Sequence, residues 1–199
     1  MTQWYMTALI IIVILAVFFL TVMIIDGNRF RVVEYQLYSS KVKKEHRYVV
    51  LSDLHNKSYG EKNSRLIRKI IGLTPEGILI AGDILTAKPG KSYEVALDLI
   101  KNLAEKYPIY YGMGNHETRL FLYPETYGDM GERYLADLNK VSVDFLKNES
   151  QQCEDNIRIT GLDMDRNYYK RLKKYPMDSN YLKETLGEAD KQKYEWNDG

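Results

Sequence analysis

Tyr48-Val49-Val50-Leu51-Ser52-Asp53-Leu54-His55 runs four apolar residues straight into a polar turn. A continuous apolar run, rather than an alternating one, marks a strand covered on both faces. The pattern recurs twice. Ile78-Leu79-Ile80-Ala81 leads into Gly82-Asp83, and Ile109-Tyr110-Tyr111-Gly112-Met113 leads into Gly114-Asn115-His116-Glu117. Between the first two runs a helix is predicted, capped by Asn63, with Leu66, Ile67, Ile70 and Ile71 on one face, and ended by Gly72 and Pro75. Between the second and third, Ser92 opens an amphipathic helix with Val95, Ala96, Leu99, Ile100 and Leu103 inward, and Pro108 stops it. Strand, helix, strand, helix, strand is the βαβ pattern of a parallel sheet with right-handed crossovers, so the fold class is α/β.

Outward from these runs the signals weaken. Arg31 to Leu37 alternates apolar and polar residues, as a half-buried strand does, until the basic stretch Lys41–Arg47 breaks it. Further on, a helix is predicted near Gly131–Asn139, with strands at Val141–Phe145 and Ile157–Ile159. Cys153, flanked by Gln151, Gln152, Glu154, Asp155 and Asn156, reads as part of an exposed turn, and His46 as a surface residue. Residues 166–199 are polar, and their basic cluster Tyr168–Lys174 reads as a solvated helix face.

In open α/β sheets ligands sit at the carboxyl ends of the strands, which brings the three polar turns to one place. Asp53, His55, Asp83 and Asn115 supply two carboxylates, an imidazole and an amide oxygen, a donor set suited to Mn, Fe or Zn. Alternate residues leaving a strand point to one side, so Asp53 and His55 can grip one cation, and Asp83 can bridge to a second. Taken singly, Asp-x-His is more often a turn with a surface histidine, and Gly-Asp means little. Gly-Asn-His-Glu is more specific, because two groups able to bind a metal or move a proton follow one strand end. Their joint occurrence, in order and each at a strand terminus, points to a metal site.

The 199 residues leave room for an anchor and one domain. No charged residue occurs from Met6 to Ile25, where Thr7 and Thr21 are the only polar side chains. A helix of that length covers the roughly 30 Å hydrocarbon core. A cleaved signal peptide would begin with Lys or Arg and end in a small-residue cleavage site, and neither is present. Residues 1–27 are therefore read as a transmembrane anchor, with residues 6–25 in the membrane, and residues 28–199 as the domain that carries the three motifs. Arg29, Arg31, Lys41, Lys43 and Lys44 follow the helix and nothing basic precedes it, which places that domain in the cytoplasm by charge bias. With 28 basic and 27 acidic residues the chain has no basic excess, so no nucleic-acid partner is expected. A single cysteine excludes an internal disulfide and a cysteine-based zinc site.

The three motifs, spaced about thirty residues apart, resemble those of the calcineurin-like metallophosphoesterases, and the leading apolar helix is similar to their membrane-anchored bacterial branch. The resemblance runs through Asn148-Glu149 and Ile159–Asp163, covering roughly residues 28–165. It implies a β-sandwich flanked by helices and a binuclear centre hydrolysing a phosphomonoester or phosphodiester. Asp53 and His55 would hold one ion, Asp83 would bridge, Asn115 would bind the other, and His116 would protonate the leaving alkoxide or steady phosphoryl oxygens. Through the anchor, a lipid-linked phosphoester becomes a reasonable substrate.

The pattern breaks after Glu117. The family completes its site with later histidines, but this chain has three in all, His46, His55 and His116. The domain is thus expected to lack its C-terminal part, and the sheet to keep an uncovered apolar face at a cost of roughly 25 cal/mol per Å². The competing reading is a membrane-tethered binding or regulatory module, or an inactive fragment, that keeps the fold without the chemistry.

Overall fold

The computed structural model of the chain describes residues 2–169, 176 and 179–186. Lys170–Lys174 of the basic cluster lie outside them. The chain divides into two units, residues 1–36 and 37–199.

The first unit is built on helix α1 (Thr2–Gly27). Its span Gln3–Gly27 is long and apolar enough to cross a membrane, a property that signal sequences share. The two hydroxyls within the apolar run are both satisfied inside the helix. Thr7 Oγ1 donates to the Gln3 carbonyl at 3.0 Å and Thr21 Oγ1 to the Val17 carbonyl at 2.7 Å. In a membrane interior an unbonded hydroxyl would cost several kcal/mol, roughly 2–7 by transfer measurements. No strand forms at Arg31–Leu37, and these residues are exposed. Alternation is a local pattern, and it makes a strand only where a sheet edge accepts its hydrogen bonds.

The second unit contains strand β1 (Tyr48–Leu51), helix α2 (Ser64–Gly72), strand β2 (Gly77–Ala81), helix α3 (Glu94–Ala104) and strand β3 (Ile109–Gly112). Helices α4 (Asn115–Leu122), α5 (Pro124–Tyr127) and α6 (Met130–Leu138) precede strand β4 (Val143–Leu146). Strands β5 (Glu149–Gln152) and β6 (Arg158–Gly161) form an antiparallel ribbon, and α7 (Ser179–Leu186) follows. The strands β1-β2-β3-β4 lie side by side in chain order, all parallel. When sequential parallel strands are joined by right-handed crossovers, every connecting helix falls on the same face.

That face holds the core. Ile78, Ile80, Ile109 and Tyr111 are buried, together with Leu66 and Ile70 of α2, Leu99, Ile100 and Leu103 of α3, and Tyr134 and Leu138 of α6. Each such side chain contributes roughly 1.5–3 kcal/mol relative to exposure. Two helix faces differ from expectation: Val95 and Ile71 reach solvent, while Leu97 turns inward. On the other side of the sheet Val50 is 62% exposed. The strand runs are continuous in sequence, yet only one face is fully packed among the described residues.

Local capping also differs. Asn63 is buried in the left-handed region at φ 62°, and makes no cap bond to α2. Its Oδ1 instead accepts the Tyr59 amide at 2.9 Å, closing the preceding turn. Ser92 accepts the Glu94 amide just ahead of α3 at 3.1 Å. Cys153 is only half-exposed, because its thiol lies against the Tyr110 hydroxyl at 3.3 Å.

His46 is not a surface residue. Its side chain is 4% exposed, with Nδ1 at 2.6 Å from Glu76 and Nε2 at 3.2 Å from Asp155. Asp155 also accepts the Lys43 and Lys44 amides, and Lys44 pairs with Glu154 at 3.0 Å. Lys41–Arg47 therefore straps the start of the sheet to the turn of the β5–β6 ribbon. The Glu76 hydrogen bond is the main reason the His46 pKa is raised. For Asp155, burial works upward, but bonds from the Lys43 and Lys44 amides and from His46 hold its carboxyl below the usual range. A raised histidine pKa gives stability that is full below its unfolded value of about 6.5 and is lost as pH rises through the folded value. Melting temperature should fall as pH rises above about 6.5, and His46→Gln should flatten that slope. Parallel slopes in the two proteins, by circular dichroism, would remove His46 from the strap.

Candidate metal centre

Beyond their last ladder residues, β1 and β2 stay together. The amides of Asp53, His55 and Asn56 donate to the carbonyls of Gly82, Asp83 and Ile84 at 3.3, 3.0 and 2.8 Å. The turns are left-handed: Asp53, His55 and Asn56 have φ of 55°, 50° and 59°, and Gly82 and Asp83 have 75° and 53°. Asp, Asn and His tolerate this region better than other side chains, and such residues cluster where function over-determines the backbone. Strand alternation is therefore not what joins Asp53 to His55, since β1 ends at Leu51. The left-handed turn does it, leaving His55 Nε2 3.6 Å from Asp53 Oδ1.

The β3 turn closes on the β2 turn through two glycines. A Cβ at Gly82 would land on the Gly114 backbone, and one at Gly114 would land on the Asp83 amide and carboxylate. That approach lets Asp83 reach α4. Its Oδ1 accepts the His116 amide at 2.8 Å and its Oδ2 the Asn115 side-chain amide at 2.7 Å. Each carboxylate oxygen has room for a second partner, so Asp83 keeps capacity for cations. Spending its NH₂ on Asp83 leaves Asn115 with its carbonyl oxygen as the free donor atom.

His116 Nδ1 accepts the Ala87 amide at 2.9 Å, and its ring meets His55 edge-on with centroids 4.7 Å apart. Burial pushes its pKa down against the opposing pull of Asp83, so the ring is neutral near pH 7. With Nδ1 occupied as an acceptor, the neutral ring carries its proton on Nε2. A metal-bound histidine normally donates its other N–H to an acceptor, which His116 does not.

One ligand atom each from His55, Asp83 and His116 lies within 4.8 Å of the others. Asp53 joins through His55, and Asn115 through Asp83. All five residues proposed from the motifs thus meet at one end of the sheet. A cavity of about 440 Å³ runs from Asp53, Asp83 and Asn115 along the open sheet face towards Ile159 and Leu162 of the β6 region. The donor set is oxygen and nitrogen, two carboxylates, an imidazole and an amide oxygen, and it fits a divalent cation.

The three motifs give Glu117 no role of its own, and the structure makes it a hub. It is 1% exposed. Oε2 accepts the Asp83 amide at 2.8 Å and the Gly114 amide at 3.0 Å; Oε1 accepts Ile84 at 3.0 Å, Leu85 at 3.4 Å and the Tyr111 hydroxyl at 2.9 Å. Burial raises its pKa despite these bonds. Every partner is a donor, an arrangement that only the carboxylate satisfies. A sequence cue existed, since Glu stands three residues after the helix-capping glycine, the spacing of a capping box.

A family model described as calcineurin-like phosphoesterase matches residues 46–197. No curated protein matches the chain.

Glu117→Gln turns an NH₂ group against backbone donors in a sealed site, and should cost about 3 kcal/mol of stability. A urea midpoint unchanged from the parent protein would show that the carboxylate is not required there.

Proposed function

The chain belongs to the calcineurin-like phosphoesterase family, and on that premise we propose that it hydrolyses a phosphomonoester or phosphodiester at a centre of two divalent cations. The observation that carries this is the convergence of His55 and Asp83, as cation ligands, with His116, as the proton donor beside them, within 4.8 Å of one another. In this reading Asp53 and His55 hold one cation, Asp83 is shared, and Asn115 holds the other through its amide oxygen. Mn, Fe or Zn suits these donors, and such ions neutralise phosphoryl charge and acidify a water. His116 does a different task. Its Nδ1 bond to Ala87 fixes the ring and leaves Nε2–H to donate to the leaving oxygen. Glu117 and the paired glycines hold the turns so that these groups do not reorganise during reaction.

One observation favours a second reading, a membrane-tethered module that binds cations or phosphoesters without turnover. His46 is committed to Glu76 and Asp155, so of the three histidines in the chain only His55 and His116 are available to the centre. The substrate is proposed to be lipid-linked because α1 would hold the domain at a membrane surface. Basic residues found only after α1 orient that domain towards the cytoplasm.

Three measurements test these assignments. Asp83→Asn should abolish Mn²⁺ binding by calorimetry, and retention of full binding would end the bridging assignment. His116→Gln should keep Mn²⁺ but lower turnover of an alkyl phosphoester by about 10²–10⁴-fold. Stoichiometric Mn²⁺ with no turnover in the parent chain would establish the binding module instead. For orientation, a cysteine introduced at exposed Lys91 in a Cys153→Ser background should react with impermeant maleimide only after lysis. Labelling of intact spheroplasts would reverse it.

A further inference from the structure

Behind Glu117 lies a second polar layer that no step described above uses. Tyr111 on β3 and Tyr134 on α6 are both fully buried, at 0% and 1% exposure, and their hydroxyls stand 3.0 Å apart. The direction of this bond is fixed by its neighbour. Tyr111 has one hydroxyl proton, and it goes to Glu117 Oε1 at 2.9 Å, because a carboxylate can only accept. Tyr134 must then donate to Tyr111. The chain runs one way, from Tyr134 to Tyr111 to Glu117, and ends on the carboxylate that also accepts the amides of Asp83 and Gly114. Bonds in series in a dry interior polarise and strengthen one another.

We propose that Tyr111 and Tyr134 are positioning residues for the cation centre, acting through Glu117 on the turn that presents Asp83. This rests on the reading of Asp83 as a cation ligand. Geometry supplies the rationale. Asp83 sits at a left-handed φ of 53°, a strained conformation that must be held by its surroundings. Its amide has Glu117 as partner, and both its carboxylate oxygens are set by α4. Loosening Glu117 therefore shifts the Asp83 carboxylate relative to His55 without removing any ligand. The ring of Tyr134 is also held by a tilted contact with Tyr93 at 5.1 Å and an edge contact with Tyr111 at 6.4 Å, so the hydroxyl alone can be removed.

The test measures Mn²⁺ affinity of the full chain by calorimetry, well below its melting temperature. Tyr134→Phe should weaken binding about fivefold, the equivalent of one hydrogen bond, and Tyr111→Phe by about tenfold or more. In a Glu117→Gln background, Tyr134→Phe should have no further effect, because the two act in series. Tyr93→Phe is the control for stability alone. Its hydroxyl donates to Asp137 at 2.9 Å, outside the chain, so it should lower melting temperature and leave Mn²⁺ affinity unchanged. Unchanged affinity in both Tyr134→Phe and Tyr111→Phe would overturn the proposal, as would full additivity with Glu117→Gln. If Asp83→Asn also bound Mn²⁺ normally, the cation reading itself would fall; if Asp83→Asn lost binding while both tyrosine variants kept it, only the positioning role would.

Discussion

Five hydrogen bonds to one buried carboxylate hold this site in shape. Glu117 takes amides from the β2 turn and the β3 turn together, so neither turn can move without leaving a donor unpaired. The arrangement is possible only because Gly82 and Gly114 let two backbones approach where side chains would collide. Burying a carboxylate without a cationic partner would ordinarily be costly; here backbone dipoles substitute for water. The glycines, the left-handed turns and the glutamate are thus one device, and each is meaningless without the others.

The device depends on the sheet order. Because β1, β2 and β3 are sequential neighbours, their carboxyl-end turns are adjacent, and a ligand set drawn from three turns needs no long side chain to close. The same order places the connecting helices on one face, which packs the core against Ile78, Ile80 and Tyr111 and leaves Val50 on the open side. A single topological choice therefore fixes where the polar groups gather and which sheet face they border.

Much of this was legible in the sequence, for definite reasons. Strand-type apolar runs, each ended by a polar or glycine-led turn, gave the parallel α/β class and put Asp53, His55, Asp83, Asn115 and His116 at one edge. That they hold cations is a chemical inference added to that placement. What the sequence hid were contacts between distant residues. His46 sits among lysines and arginines, and its partners Glu76 and Asp155 are 30 and 109 residues away. Tyr111 and Tyr134 are two of 17 tyrosines, and nothing local marks them as bonded to each other. Arg31–Leu37 is the opposite case, an alternating local pattern in which no strand forms. Val95 was misplaced because it lies in the first turn of α3, where the helical face is not yet set by its neighbours.

The strap at Asp155 bears on how the chain is made. Lys43 and Lys44 emerge from the ribosome 112 and 111 residues before the carboxylate that receives their amides. At a synthesis rate of about 5–20 residues per second, that is several seconds or more in which the basic segment has no acidic turn to rest on. During that interval β1 to β4 can pair, since each finds its neighbour as soon as it appears, but the ribbon edge beside the open sheet face stays unfastened. The strap would thus close as a latch on four strands already made, and a nascent chain stalled before Asp155 would carry the sheet with that latch open.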